Sequence, residues 1–254
     1  MTAVAVDASA VYTLRLADDC LVLSHRMAQW SSRAATLEED IALTNIALDL
    51  LGQARALYAH AAELDGSGRS EDDYAYLRTE REFLNCQLVE HENGDFAATM
   101  ARQLLYSAFQ RPLWAVLTGS SDSTLAAIAA KAEKESIYHL DHAKQWVVRL
   151  GDGTDGSHRR MQVGLEALWP FSAELFEADD VVRDVTSRRI GVDPERIHEK
   201  WNTTIDAVLA EATLSRPETT WQPTGGRSGL HTECFGYMLA EMQHLHRSYP
   251  GARW

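Results

Sequence analysis

Apolar residues recur at intervals of three and four along most of the chain, the spacing of helices with one buried face. No stretch alternates in the manner of a strand, and no proline precedes Pro112. A first helix is expected from about Val11 to Trp30, with an inner stripe of Leu14, Asp18, Leu21, His25 and Ala28. Thr36 and Glu39 stand in capping-box spacing at the start of a second, from about Leu37 to Leu64. Its centre, IALTNIALDLLGQARAL, is apolar nearly all round, so this helix is expected to be the most buried. Gly52 within it costs about 1 kcal/mol relative to alanine, which close approach of another helix would offset. A third helix is expected from about Glu71 to Glu90, and a fourth from Asp95 to about Thr118 with a kink or restart at Pro112. A fifth runs from about Ser123 to Leu150 on the stripe Leu125, Ile128, Ala132, Glu135, His139, His142 and Trp146. After the glycine-rich stop at 151–156, helices are expected from about His158 to Phe176, from Pro194 to Leu214 and from His231 to Ser248. A short helix and loop fill 178–193, and a long loop fills 216–230. The pattern reads as all-α: a four-helix bundle core at about 11–150, carrying additional C-terminal helices at about 157–250, in a single domain.

Composition narrows the class. A hydrophobic fraction of 45% with 24% charged residues is that of a chain able to bury a core. The net charge of −13 argues against a phosphate-tracking surface, so no nucleic-acid partner is expected. No apolar run is long enough to span a membrane, and the first ten residues lack a basic start, so they read as a frayed tail rather than a leader. Cys20, Cys86 and Cys234 are widely spaced and form no CxxC pair, which points to a reducing, cytoplasmic setting.

The candidate chemistry lies inside the helices. A core-facing stripe should not bury a carboxylate and two imidazoles unless they are paired or hold a metal. Metal-carboxylate bundles take one carboxylate from each of two helices and a Glu-x-x-His pair from each of two others. On that template Asp18 or Asp19 would be the first carboxylate and Asp49 the second, but Gly52 stands where histidine belongs. Gln103 falls near the third carboxylate position, and Glu135 at the fourth is followed one turn on by Tyr138, with the histidine displaced to His139. The layout is kept while three of the six ligand types are wrong, which suits a hydrogen-bonded polar core better than two ferrous ions. The expected arrangement pairs Glu135 with His139 and sets Asp49 against Gln103 or a backbone donor. The relic positions are thus Asp18, Asp49, Gly52, Gln103, Glu135, Tyr138 and His139, with no catalytic, cofactor-binding or metal-ligating residue expected.

Other motifs carry less. Glu195–His198 and Glu241–His244 match Glu-x-x-His but lack the partner carboxylate helix, and they read as surface helix. TGGRSG at 224–229 resembles an anion-cradling loop, yet no strand precedes it, and a structural loop before a helix fits better. Arg227 and this loop are the weak candidates for touching a phosphate-bearing substrate. The seven tryptophans, Trp254 among them, read as core or interface anchors.

The runs YTLRLADDCLVLSHRMAQW, IALTNIALDLLGQARALYAHAAEL, NGDFAATMARQ, AKAEKESIYHLDHAKQWVVRLGDGT and GGRSGLHTECFGYMLAEMQHLHRSYPGARW resemble the PaaC family from about Tyr12 to Trp254. These are the non-catalytic, structural subunits of the bacterial ring-1,2-phenylacetyl-CoA epoxidase (phenylacetate-CoA oxygenase). The resemblance implies a ferritin-like fold and a supporting role in aerobic phenylacetate breakdown. It implies as partners the di-iron catalytic subunit PaaA across a large helical interface, a small bridging subunit PaaB, and a reductase PaaE. Iron would then belong to PaaA, and FAD, iron–sulfur and NADPH to the reductase. Two other readings stay open: an active di-metal oxidase with ligands drawn from Asp18, Asp49, Glu135, His139 and His142, and a helical interaction module unrelated to oxygenases.

Overall fold

A computed structural model describes residues 7–252. Ten α-helices follow one another: α1 (Ala8–Ala28), α2 (Leu37–Asp65), α3 (Glu71–Tyr76), α4 (Gln87–Glu90), α5 (Phe96–Leu117), α6 (Ser123–Gly151), α7 (Asp155–Leu168), α8 (Asp180–Ser187), α9 (Pro194–Glu211) and α10 (Glu233–Ser248). No strand occurs among the described residues, so the fold is all-α as expected. Most starts carry their own sequence signal. Asp7, Thr36, Asp95 and Asp122 each accept a backbone N–H of the following first turn. Helix α1 therefore begins within the stretch read as a frayed tail, whose first six residues lie outside those described, as does Trp254.

The chain forms two compact units, Met1–Glu92 with Gly225–Trp254, and Asn93–Thr224. In the first unit, α1 and α2 make a long hairpin against which the 77–92 segment and the C-terminal segment pack. In the second, α5 and α6 make a matching hairpin, flanked by α7 and α9. Both hairpins required by the ferritin-like expectation are present. A close approach in the second unit is at Gly164, where a Cβ would stand 2.8 Å from the Cα of Ala98, so α7 can lie against α5 only with glycine there. The indole of Trp201 on α9 donates to the Leu105 carbonyl (2.9 Å), fixing that helix on the same hairpin.

Four expectations about elements need correction. Helix α1 is buried nearly all round, as is α5, although α1 carries Arg15, Asp18, Asp19 and Arg26. Apolar α2 instead leaves Leu37, Ile41 and Leu48 more than half exposed. Residues 71–90 are not one helix but α3, a 3-10 turn at Glu80–Glu82 and α4, separated by extended backbone. Pro112 neither breaks nor restarts α5, because it removes one hydrogen bond while buried Leu113, Trp114 and Leu117 hold the last turns in place. On α6 the buried stripe is Leu125, Ala129, Ala132, Ser136, His139, Ala143 and Val147. That stripe satisfies the helical period as well as the expected one does. It puts small side chains inward and leaves Glu135, His142 and Trp146 on its half-buried shoulder.

Candidate functional site

The adjacent aspartates of α1 are both fully buried, and each is met by an arginine from far along the chain. Asp18 accepts from both terminal nitrogens of Arg78, from the Tyr58 hydroxyl (2.6 Å) and from the Leu84 amide (2.7 Å). Arg78 lies over the Phe83 ring at 4.0 Å and within 6 Å of Tyr58 and Tyr74, two rings stacked on each other. Burial disfavours its guanidinium, but Asp18 opposite outweighs this and holds its pKa above the ordinary value. Burial first, and then the Asp18 charge, push the Tyr58 phenol well up, so it stays protonated and donates. Asp19 accepts from Arg227 at 2.9 and 2.8 Å, one bond to each oxygen, and from the Cys86 amide at 2.8 Å.

These bonds explain why 77–92 is not one continuous helix. Several of its backbone groups are spent on other segments rather than on helical turns of its own. The Leu84 and Cys86 amides serve α1. The Leu84 carbonyl accepts from Arg227, and the Arg78 carbonyl from Gln243 and Arg247 of α10. The Glu90 carbonyl accepts from buried Arg26, whose guanidinium also reaches the Cys234 carbonyl at 3.2 Å.

Glu90 and His231 complete the network, with no side-chain surface exposed on either. His231 places Nδ1 2.8 Å from the Glu90 carboxylate and Nε2 2.9 Å from the Phe83 carbonyl. A carbonyl oxygen can only accept, so Nε2 carries a proton and donates to Phe83, while Nδ1 faces the Glu90 carboxyl group. Burial opposes a charge on the ring, but the hydrogen bond and charge of Glu90, aided by the Phe83 carbonyl and Glu80, raise the His231 pKa above its usual value. Asn85 and the Thr232 amide also donate to Glu90.

The glycine-rich loop belongs to this network and not to an anion. Gly225 and Gly229 have φ of 116° and 76°, and a Cβ on Gly229 would stand 2.3 Å from the Arg81 carbonyl oxygen. The tight turn they form carries Arg227 onto Asp19, where its guanidinium is engaged by a carboxylate, the Arg15 carbonyl and the Leu84 carbonyl. This disposes of Arg227 as a phosphate contact.

The remaining template positions do not fit a di-metal carboxylate centre. Asp18 is neutralised by an arginine. Asp49 is half-buried, with Gly52 one turn on. In the other unit, Gln103 is buried with its carbonyl oxygen lacking a hydrogen-bond partner. Glu135 takes an ion pair from Lys131 on its own helix (3.3 Å). Tyr138 is 46% exposed, too far outward for a ligand position, and its ring lies beside those of His139 and His142. His139 itself is buried. Among the described residues, no three His, Cys, Asp or Glu side chains are grouped to hold a metal ion. Glu195, His198, Glu241 and His244 are exposed, as a surface reading requires. Cys20 and Cys86 are buried, whereas Cys234 is only half-buried, and all three are free thiols.

Sequence reasoning singled out Asp18 and Asp19 but missed Arg78, Glu90 and His231. Arg78 and Glu90 sit in a segment whose composition imitates a helix. The one available signal was arithmetic: a fully buried pair of aspartates needs cations, and few arginines fall within apolar surroundings.

Two likenesses to known proteins agree with each other. The PaaA–PaaC family, described as phenylacetic acid catabolic protein, matches residues 1–254. A protein of Escherichia coli (strain K12), described as a subunit of 1,2-phenylacetyl-CoA epoxidase, is 50% identical over 243 residues, covering 96% of this chain and 98% of that one.

Proposed function

Since the chain belongs to the phenylacetic acid catabolic protein family, we propose that it is the structural, non-catalytic subunit of a phenylacetyl-CoA epoxidase, supporting a di-iron catalytic subunit. The observation that carries this is Asp18. A first-helix carboxylate that should face a metal is committed to Arg78, Tyr58 and a backbone amide. Gly52, Gln103 and exposed Tyr138, none of them able to serve as a carboxylate or imidazole ligand, support the same reading. So does identity of 50% along almost the whole of a relative described as part of that epoxidase.

In this proposal the chain holds no resident cofactor. Iron resides in the partner PaaA, FAD, iron–sulfur and NADPH in the reductase PaaE, and PaaB completes the assembly. The chain works by packing: a marginal partner is stabilised by whatever binds only its folded state. The complex acts in the cytoplasm, and no described helix is long and apolar enough to cross a membrane. The test is metal analysis of each purified chain. The expected result is no stoichiometric iron in this chain alone and iron in PaaA. An iron pair retained by this chain, and lost on Glu135→Ala without unfolding, would reverse the assignment.

A further inference from the structure

A cavity of about 440 Å³ opens where the turn after α8 meets the link between α5 and α6, wholly within the second unit. Its walls are apolar at Val116, Ile190 and Val192 and basic at Arg189 and Arg196. The turn is closed by two backbone bonds. The Ile190 amide reaches back to the Val185 carbonyl (2.8 Å), and the Arg189 amide to that of Thr186 (3.0 Å). It is also tied to the link. The Ser121 amide donates to the Arg189 carbonyl at 2.9 Å, and the Ser120 and Ser121 hydroxyls donate to the Ile190 and Arg188 carbonyls at 2.8 and 2.9 Å. The left-handed position of such a turn ordinarily holds glycine, yet here it holds Arg189, with φ of 59°. An arginine kept in a backbone conformation that glycine adopts freely, at the wall of a cavity, is a feature that folding alone does not call for.

The charges around the cavity identify the ligand class. The nearby arginines of α8 and its cap are paired locally, Arg183 with Asp180 (2.6 Å) and Arg188 with Asp184 (3.1 Å). Arg189 and Arg196 take no carboxylate partner among the described residues, in a chain with 37 acidic residues against 24 basic ones. The acidic residue in the wall, Asp193, is committed to capping α9, where it accepts from the Glu195 amide at 3.1 Å. Two guanidiniums exceed what one carboxylate needs, because a single guanidinium already binds both of its oxygens. A phosphate monoester carries a charge of about −1.5 to −2 and three acceptor oxygens, which suit two. We propose that the cavity binds a small organic phosphate monoester, with the phosphate between Arg189 and Arg196 and the carbon body against Val116, Ile190 and Val192. The volume is that of a small-ligand pocket, and apolar walls with a few placed polar groups are the usual lining of one.

The inference does not depend on the proposed function, and its test uses the full-length chain alone. Titration calorimetry compares phenyl phosphate, benzoate and inorganic phosphate. Phenyl phosphate should bind at millimolar concentration or below. It should bind more tightly than benzoate, which offers a carboxylate on the same ring, and than inorganic phosphate, which has no carbon body. Arg189→Gly and Arg196→Gln should each weaken it by at least about tenfold. Arg189→Gly should meanwhile hold or raise the thermal midpoint, because glycine suits the left-handed position. Arg188→Ala, on the neighbouring arginine that Asp184 holds, is the control and should bind normally. Failure of the unsubstituted chain to bind millimolar phenyl phosphate, undiminished binding by either variant, equal loss with the control, or equally tight benzoate or inorganic phosphate would each overturn the inference. A lower midpoint for Arg189→Gly would overturn it too, by giving that arginine a structural role.

Discussion

Asp18 and Arg78 are 0% and 4% exposed, so neither has water to fall back on. Their pairing differs in kind from Lys131–Glu135, where the lysine is 72% exposed and the pair contributes about 0.3–0.5 kcal/mol. Removing one member of the buried pair leaves a charge stranded. Arg78→Met is expected to destabilise the chain by about 3–5 kcal/mol, read as a lower urea midpoint, while iron content stays unchanged. A midpoint within experimental error of the unsubstituted protein would contradict that. The position of Asp18 was legible because a carboxylate on an apolar stripe is conspicuous. Its partner was not, because Arg78 is separated from it by 60 residues. Arginine itself carries no mark of whether its head lies in water or in an aromatic cage.

At the level of elements, periodicity located every long helix, and the Thr36 and Asp95 caps placed two of their starts. It failed where two stripes fitted equally well, as on α6, and where backbone groups were recruited by distant side chains, as in 77–92. Local sequence has no access to either decision, since both depend on what packs alongside. It also misjudged α2, because apolar composition signals a capacity for burial without showing that neighbouring elements will cover it. The turn at 225–229 offers a sharper check. Gly229→Ala combines a positive φ with a Cβ 2.3 Å from a backbone oxygen, so it should cost about 1–3 kcal/mol and loosen the attachment of 225–232. Hydrogen exchange should rise at the Thr232 amide, and an unaltered rate there would count against a role for this turn.

For the molecule as a whole, stability should carry a distinct pH signature. His231 has a folded pKa raised above the ordinary 6.5, because the opposing effect of burial is exceeded by Glu90. Its stabilising contribution is therefore complete below the unfolded value and is lost as pH rises through the folded one. His25 runs the other way. Burial chiefly lowers its pKa, Glu241 opposing and Arg26 reinforcing, so its contribution is lost as pH falls. The two are separated by subtraction: the stability gap between the unsubstituted chain and His231→Gln should be widest below the ordinary pKa of 6.5 and shrink as pH rises above it. A gap constant across that range would show that the ring is not an imidazolium.

Asp19 and Arg227 are 208 residues apart, with all of Asn93–Thr224 between them. A ribosome releases the aspartate long before its cation, and domains ordinarily finish in order from the N-terminus. Here the first unit cannot do so. While the intervening unit is being made, α1 waits with a carboxylate that has no counter-charge, and burying it early would be costly. The nascent N-terminal hairpin is expected to stay loosely packed around Asp19 until the last segment arrives. Completion of the chain, rather than emergence of its first half, then becomes the event that locks the unit.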